Sequence, residues 1–566
     1  MTDAFRSAAA GADSLISTTT GRRGFLALAG AVGGLLLVGC SADGNSAVNT
    51  TSGGTPVRGG TLKFAWLGAP ESIDPQVNSS FAGANFSNNI VDRLLFQDRD
   101  TGALSPWLAT KWEYNDTITE YTFTLREDVT FSDGTKFNAT SVKNNLDQFY
   151  FGDEALSIKP NGKSYLGPYK ETQVVSEFVV KVLFNAPNAS FLQLTAHSGT
   201  GNISFLADRT LKSSAKDRLN PANVIGTGPF VVTEYVPKER TVIVRREDYK
   251  WSPPALKHEG PAYLDRIEFI TIPEASVRVG ALQSGDVPAS FDILPTDEKV
   301  VTAQGFELTS RTVPGFTLGW QFNLSLAPTD DINVRRAIVA ATNRAGYKKS
   351  LLSPSEGEAH SVLTDKVPGF VDYSQGALKY DPERAKKLLD DAGWKPGADG
   401  IREKNGVKLK LKGTGNILVP DARVTYEATQ AALKAIGIDV EIVFDSQNIP
   451  AKQITAEFHL ANINRARNDV AVLNTQLNPD RGNGSVIPEN HPDRARIVKT
   501  FNALDTAIGA AQIPLAKAVQ DLIHEEFVLV NPQFQTSQVA ATKGVGNIYL
   551  DGSGRLLFVD SWVSGK

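Results

Sequence analysis

The chain has 566 residues, 41% hydrophobic and 21% charged, with a formal net charge of −4. This suits a globular protein with room for two or more domains, and the mixing of acids and bases leaves no basic stripe of the kind nucleic acid requires. The single cysteine excludes an internal disulfide, and six histidines without HExxH or Cys/His spacing provide no zinc-site pattern.

Gly21-Arg22-Arg23-Gly24-Phe25-Leu26 opens an apolar run that ends at Leu37-Val38-Gly39-Cys40. The run falls short of the roughly 20 residues that span a bilayer. Its basic, apolar and small-residue zones are those of an export signal. The end of the run resembles the lipobox of bacterial lipoproteins. That resemblance implies a signal peptide over 1–39, a diacylglyceryl group on the Cys40 thiol and cleavage just before it. Arg22 and Arg23, with Phe25-Leu26 behind them, resemble a twin-arginine signal, although Gly21 stands where Ser or Thr is usual. A plain basic region read by the general secretion route is the alternative. Residues 40–60 carry little to bury and read as a lipid-anchored flexible tether. No later apolar run is long enough for a second membrane segment.

From residue 61 the pattern is that of a folded body. A first strand covers 60–66, and apolar spacing predicts a helix over 85–96. Residues 120–126 alternate cleanly as a half-buried strand, a turn follows at Asp133-Gly134, and a helix opens near Ser141. Strands are predicted over 178–184, 241–246 and 264–272. Gly226-Thr227-Gly228-Pro229 is a tight bend, with no Gly-Lys-Ser/Thr to make it a phosphate loop. A helix is predicted over 333–352, and another starts at Asp381-Pro382-Glu383 and stops at Gly393. A helix over 425–436, a strand over 439–444 and a last helix over 515–527 complete an α/β alternation.

Four stretches in this order are similar to the bacterial extracellular solute-binding proteins of family 5, the dipeptide, oligopeptide and nickel type that serves ABC importers. They are Ile90-Val91-Asp92-Arg93-Leu94-Leu95 with Leu104-Ser105-Pro106-Trp107, Phe131-Ser132-Asp133-Gly134-Thr135, Gly226-Thr227-Gly228-Pro229-Phe230, and Tyr380-Asp381-Pro382-Glu383 running to Gly393-Trp394. The resemblance implies an α/β, two-lobed periplasmic-binding-protein-like fold of type II, cluster C-like, with an extra N-terminal subdomain. The implied layout is lobe I over 61–312, lobe II over 313–532 and a return to lobe I over 533–566, with crossings near 308–320 and 530–538. It also implies a monomeric receptor on the outer face of the cytoplasmic membrane, lipid-anchored, whose partners are a small-molecule solute and the ABC permease subunits. No cofactor, metal or nucleic acid is expected.

A solute in an interlobe cleft should meet polar and aromatic groups on loops. The candidates are Asn85 and Phe86, then Ser198 and Gly199 beside His197, then Phe316, Trp320 and Asn323, and finally Asn474 and Gln476. Peptide-binding relatives often place an aspartate before an Asp-Pro pair to hold the peptide ammonium. Here Asn478-Pro479 stands at that place, with Asp469 and Asp480 as displaced substitutes and Arg465 and Arg467 nearby. A hydrolase would need a nucleophile with a base or a pocketed carboxylate pair. The sequence has no GxSxG elbow and no metal motif, so no catalytic residue is assigned and the chain is read as a non-enzyme. A sensing lipoprotein without an importer is the alternative within the binding class. Cys40→Ser should leave solute affinity intact while releasing the protein or stranding its precursor. Fractionation and equilibrium binding check this, and lost affinity in the purified variant would count against separate anchor and cleft.

Overall fold

The computed structural model describes residues 54–564, apart from 69–71, 78–80, 200, 257, 416–421, 445–455, 464, 481–486 and 527–528. Arg22, Arg23 and Cys40 lie outside the described residues.

The strand Thr61–Trp66 is the centre of the first lobe. Leu62, Phe64, Ala65 and Trp66 are all fully buried, because this strand lies inside a seven-stranded sheet with both faces covered. The sheet runs Glu307–Thr312, Thr536–Ala541, Ala289–Phe291, Thr61–Trp66, Arg266–Thr271, Arg240–Arg245, Phe230–Val236. Trp66 packs on Phe86 and Phe291, with ring centroids 5.7 and 4.6 Å away, so the helix that follows is pinned to the sheet.

The extra subdomain is a four-stranded antiparallel sheet in the order Ala109–Tyr114, Glu120–Leu125, Val179–Phe184, Tyr169–Ser176. Tyr121, Phe123 and Leu125 face inward, as strict alternation requires. The helix Ala139–Phe151 packs against this sheet and starts at a capping box between Asn138 and Ser141.

The second lobe has its own five-stranded sheet, ordered Asp439–Val443, Lys410–Thr414, Leu460–Ile463, Leu318–Phe322, Leu529–Gln533. Its core draws on the helices Ile332–Ala341, Pro382–Asp391, Ala422–Ala435 and Ile513–Glu526.

The chain passes between the lobes twice, and the two passages run side by side. Glu307–Thr312 pairs antiparallel with Thr536–Ala541 in the first sheet, and Leu318–Phe322 pairs antiparallel with Leu529–Gln533 in the second. Between them the Val313 N–H donates to the Gln535 carbonyl at 2.8 Å. The hinge is thus two strand pairs in line, one in each lobe's sheet, with the Val313–Gln535 bond extending the first.

Three local expectations are altered. The helix predicted over 85–96 is Phe81–Ser87 and then stops. The carbonyls of Asn89 and Ile90 accept from Phe230 and Gly228 instead of from the next helical turn. The helix predicted over 333–352 is broken in two, Ile332–Ala341 and Arg344–Ser350, where the Thr342 hydroxyl bonds back to the Ile338 carbonyl and Asn343 caps the second piece. The end of the tether is docked: the Gly59 N–H donates to the Tyr263 carbonyl at 2.8 Å and the Gly60 N–H to Asp265 at 2.9 Å.

Gly315 lies in the first passage with φ of 131°, and a Cβ there would stand 1.9 Å from the Arg465 carbonyl oxygen. Only glycine meets both demands. Gly315→Ala should cost at least about 1–3 kcal/mol on backbone strain alone, read by urea denaturation, and unchanged stability would refute the close approach.

Candidate functional site

The loop from Arg465 to Asp469 follows the strand Leu460–Ile463 and leads into the helix Val472–Leu477. Its backbone is zipped to the first passage. The Phe316 N–H donates to the Arg465 carbonyl at 2.9 Å, and the Arg467 N–H donates to the Pro314 carbonyl at 2.7 Å. Gly315 and Ala466 form an isolated bridge.

The other side of the loop meets the first lobe. Arg465 donates from Nη1 to the Tyr165 hydroxyl at 2.8 Å, and its guanidinium lies 5.5 Å from the centroid of that ring. Arg467 donates from Nη2 to the Ser190 carbonyl at 3.2 Å. Gln97 donates from Nε2 to the Asn468 carbonyl at 3.0 Å. A Cβ on Gly199 would come 3.2 Å from the Ala466 carbonyl oxygen. The lobes are therefore drawn together across polar groups.

Arg467 and Asp469 form a buried ion pair, Nε to Oδ2 at 2.5 Å, with side chains 3% and 8% exposed. Thr475 Oγ1 accepts from Arg467 Nη1 at 3.3 Å, and Asp469 Oδ1 accepts the Ala471 N–H at 2.9 Å. Each charge out of water thus has a partner, which burial demands.

Beneath the first-lobe side lies a second polar cluster. Arg93 donates from Nε to the His197 carbonyl at 2.8 Å, and His197 Nδ1 is 3.1 Å from the Ser553 hydroxyl. Burial lowers the Arg93 pKa to about 10, against the opposing pull of Asp551 and Asp92. Arg93, Asn88, Ser198, Asp551 and Ser553 line a cavity of about 10 Å³. That is too small for any solute larger than water.

The structure gathers some of the predicted site residues and separates others. Gln476, on the helix Val472–Leu477, accepts through Oε1 from Arg465 Nε at 3.3 Å and so meets the interlobe loop. Gly199 faces the Ala466 carbonyl across the interface, Ser198 beside it lines the small first-lobe cavity, and Phe316 is on the passage beside Arg465. Trp320 is fully buried, donates to the Thr414 carbonyl at 2.7 Å and packs on Tyr426. Asn323 donates to the Phe458 carbonyl at 3.2 Å. Asn474 donates to Asp505 at 2.5 Å, inside the second lobe. Asn85 spans the Phe81 carbonyl and the Leu556 N–H, each at 3.0 Å, while Phe86 packs on Phe269 at 4.4 Å. Sequence reasoning did not single out Tyr165, Ser190, Gln97 or Asn468, whose neighbours come from distant segments. The Pro314-Gly315 pair is a breaker signal that could have marked the passage.

Among the described residues no cluster of His, Cys, Asp and Glu could hold a metal ion. Asp390 and Asp391, in the last turn of the helix Pro382–Asp391, pair with Arg402 and Lys387 at 2.7 and 2.9 Å.

Two α/β lobes, a double passage and a polar contact surface between the lobes define the class of two-lobed solute receptors. The sequence model for bacterial extracellular solute-binding proteins, family 5 Middle, matches residues 103–488. The chain belongs to this family of extracytoplasmic solute-binding proteins. It is 28% identical to the nickel-binding periplasmic protein of Escherichia coli over 389 residues, 66% of this chain and 69% of that one. It is 27% identical to the dipeptide-binding protein of the same organism over 403 residues, 68% and 72% of the two chains. The crystal structure of NikA from Brucella suis in complex with Fe(III)-EDTA superposes with a TM-score of 0.75 at 25% identity, covering 89% of this chain and all of that one. The oligopeptide-binding protein AppA of Bacillus subtilis, at 19% identity and a TM-score of 0.72 over 90% of this chain and all of its own, shares the fold.

Arg467→Met should destabilise the protein by about 3–5 kcal/mol by stranding Asp469, and adding Asp469→Leu should restore part of that loss. Urea denaturation of the cycle checks this; strictly additive losses would show that the two groups do not depend on each other.

Proposed function

We propose that this protein is anchored through lipid on Cys40, captures a small polar solute between lobes 61–312 with 533–566 and 313–532, and hands it to the permease of an ABC importer. The observation that carries this reading is the polar contact of the loop at Arg465–Asp469 with the first lobe beside the paired passages. Closure there is a hinge motion. For the importer to respond to loaded receptor, the solute must bind the closed arrangement better than the open one.

Arg22 and Arg23 would take the precursor through the twin-arginine route, which delivers folded protein. The stretch before residue 58 would hold the body near the permease, starting from Cys40. Ser198, Gly199, Phe316 and Gln476 are the proposed solute neighbours among the residues the sequence singled out, and the receptor works as a monomer. The similar proteins carry names for nickel, dipeptide and heme binding, so family membership leaves the choice of solute to the site.

The test is transport and binding together. A solute that raises the melting temperature of the purified protein should no longer enter cells lacking the gene, and complementation should restore its uptake. Unimpaired uptake of that verified solute in the deletion strain would sink the importer reading.

A further inference from the structure

The charges in the interlobe loop are unequally matched. Asp469 is held by Arg467 at 2.5 Å and by the Ala471 N–H. Asp480, the other acid near the Asn478-Pro479 turn, is exposed and pairs with Arg494 at 2.8 Å. Asn478 itself is buried and donates to Asn474 and Asn502 at 2.7 and 2.8 Å. Asp505 accepts from Asn474 at 2.5 Å. On the first-lobe side, Asp551 accepts from Asn88 at 3.0 Å and from the N–H groups of Ser553 and Arg555 at 2.9 Å each. Each of these carboxylates is already engaged by a side chain of the protein.

Arg465 is different. Its partners are neutral, Gln476 at 3.3 Å and Tyr165 at 2.8 Å, and among the described residues no carboxylate stands within ion-pair distance of it. It is half-buried, between two lobes that close on each other. A guanidinium in that setting is a strong, geometrically selective hydrogen-bond donor to a planar anion, and its attraction grows as water is excluded. A free ammonium would meet the opposite situation: a cation beside it and acids already taken, so its desolvation would go uncompensated.

We infer that this receptor selects solutes presenting an anionic group, a carboxylate or a phosphate ester, to Arg465 at Tyr165, and discriminates against solutes whose recognition depends on a free ammonium. This rests on the receptor reading above and names its solute class. Arg465 is the specificity-determining residue, while Arg467 acts through Asp469 by withdrawing the acid that would otherwise accept a cation.

The test uses the full chain and an equimolar set of probes at micromolar concentration, read by native mass spectrometry. The probes are N-acetyl-trialanine, trialanine amide, citrate and glycerol phosphate. The expected result is retention of at least one anionic probe over trialanine amide by about tenfold or more, the scale of one charge-assisted contact. Citrate or N-acetyl-trialanine would identify a carboxylate solute and glycerol phosphate a phosphate ester. Arg465→Gln should erase the preference and Arg465→Lys should keep its sign with weaker binding. Preferential retention of trialanine amide, an anion preference untouched by Arg465→Gln, or retention of none of the probes would each overturn the assignment. The receptor reading has its own arm: incubation with a total small-molecule extract of the source cells. A captured cationic solute would leave that reading standing while sinking this one, whereas capture of nothing from the extract would strike the receptor reading itself.

Discussion

The structure depends on one constraint: the chain must pass between its two lobes twice, and both passages occupy the same place. Each lobe's sheet contains one strand from the outgoing passage and one from the returning passage, paired antiparallel. Between the two paired stretches the backbone groups of the hinge are satisfied by neighbouring segments, the Phe316 N–H by the Arg465 carbonyl and the Thr317 N–H by the Val362 carbonyl, as a buried connection requires. Gly315 allows the loop of the second lobe to lie directly against this hinge, because a side chain there would occupy the Arg465 carbonyl. The site loop is therefore positioned by the hinge as well as by its own lobe.

That arrangement couples electrostatics to closure. Arg467 is held by Asp469 within the loop and reaches the Ser190 carbonyl across the interface. Arg465 reaches Tyr165, whose ring sits on Gly201, where a Cβ would come within 2.1 Å of it. Asp469 is neutralised by Arg467 within the loop, whereas Arg465 meets only neutral partners at the interface. Polar contacts across a moving interface are individually modest, so solute binding can shift the balance between open and closed arrangements.

Local pattern was enough to find part of the framework of both lobes. The strand at Thr61–Trp66, the alternating strand at Glu120–Leu125 and the capped helix at Pro382–Asp391 follow from period, capping residues and turn chemistry near in sequence. Where the local pattern was overridden, the cause is tertiary. The run after Ser87 has helical spacing, yet Phe230 and Gly228 take its carbonyls. Trp320 and Phe86 have the chemistry of ligand contacts, yet both are packed in cores, because an aromatic ring does the same work of burial in either place.

By itself the sequence determined the lone cysteine, the α/β alternation and the family pattern, since each is written in neighbouring residues. Only the tertiary structure decided which charges are spent. Arg465, Arg467, Asp469 and Asp480 look equivalent as a run of charged residues, and their different fates come from partners brought in by folding: Tyr165 and Ser190 from the first lobe, Arg494 from a later helix. A Coulomb interaction is set by distance and by exclusion of water, and neither is a property of the sequence until the two lobes stand against each other.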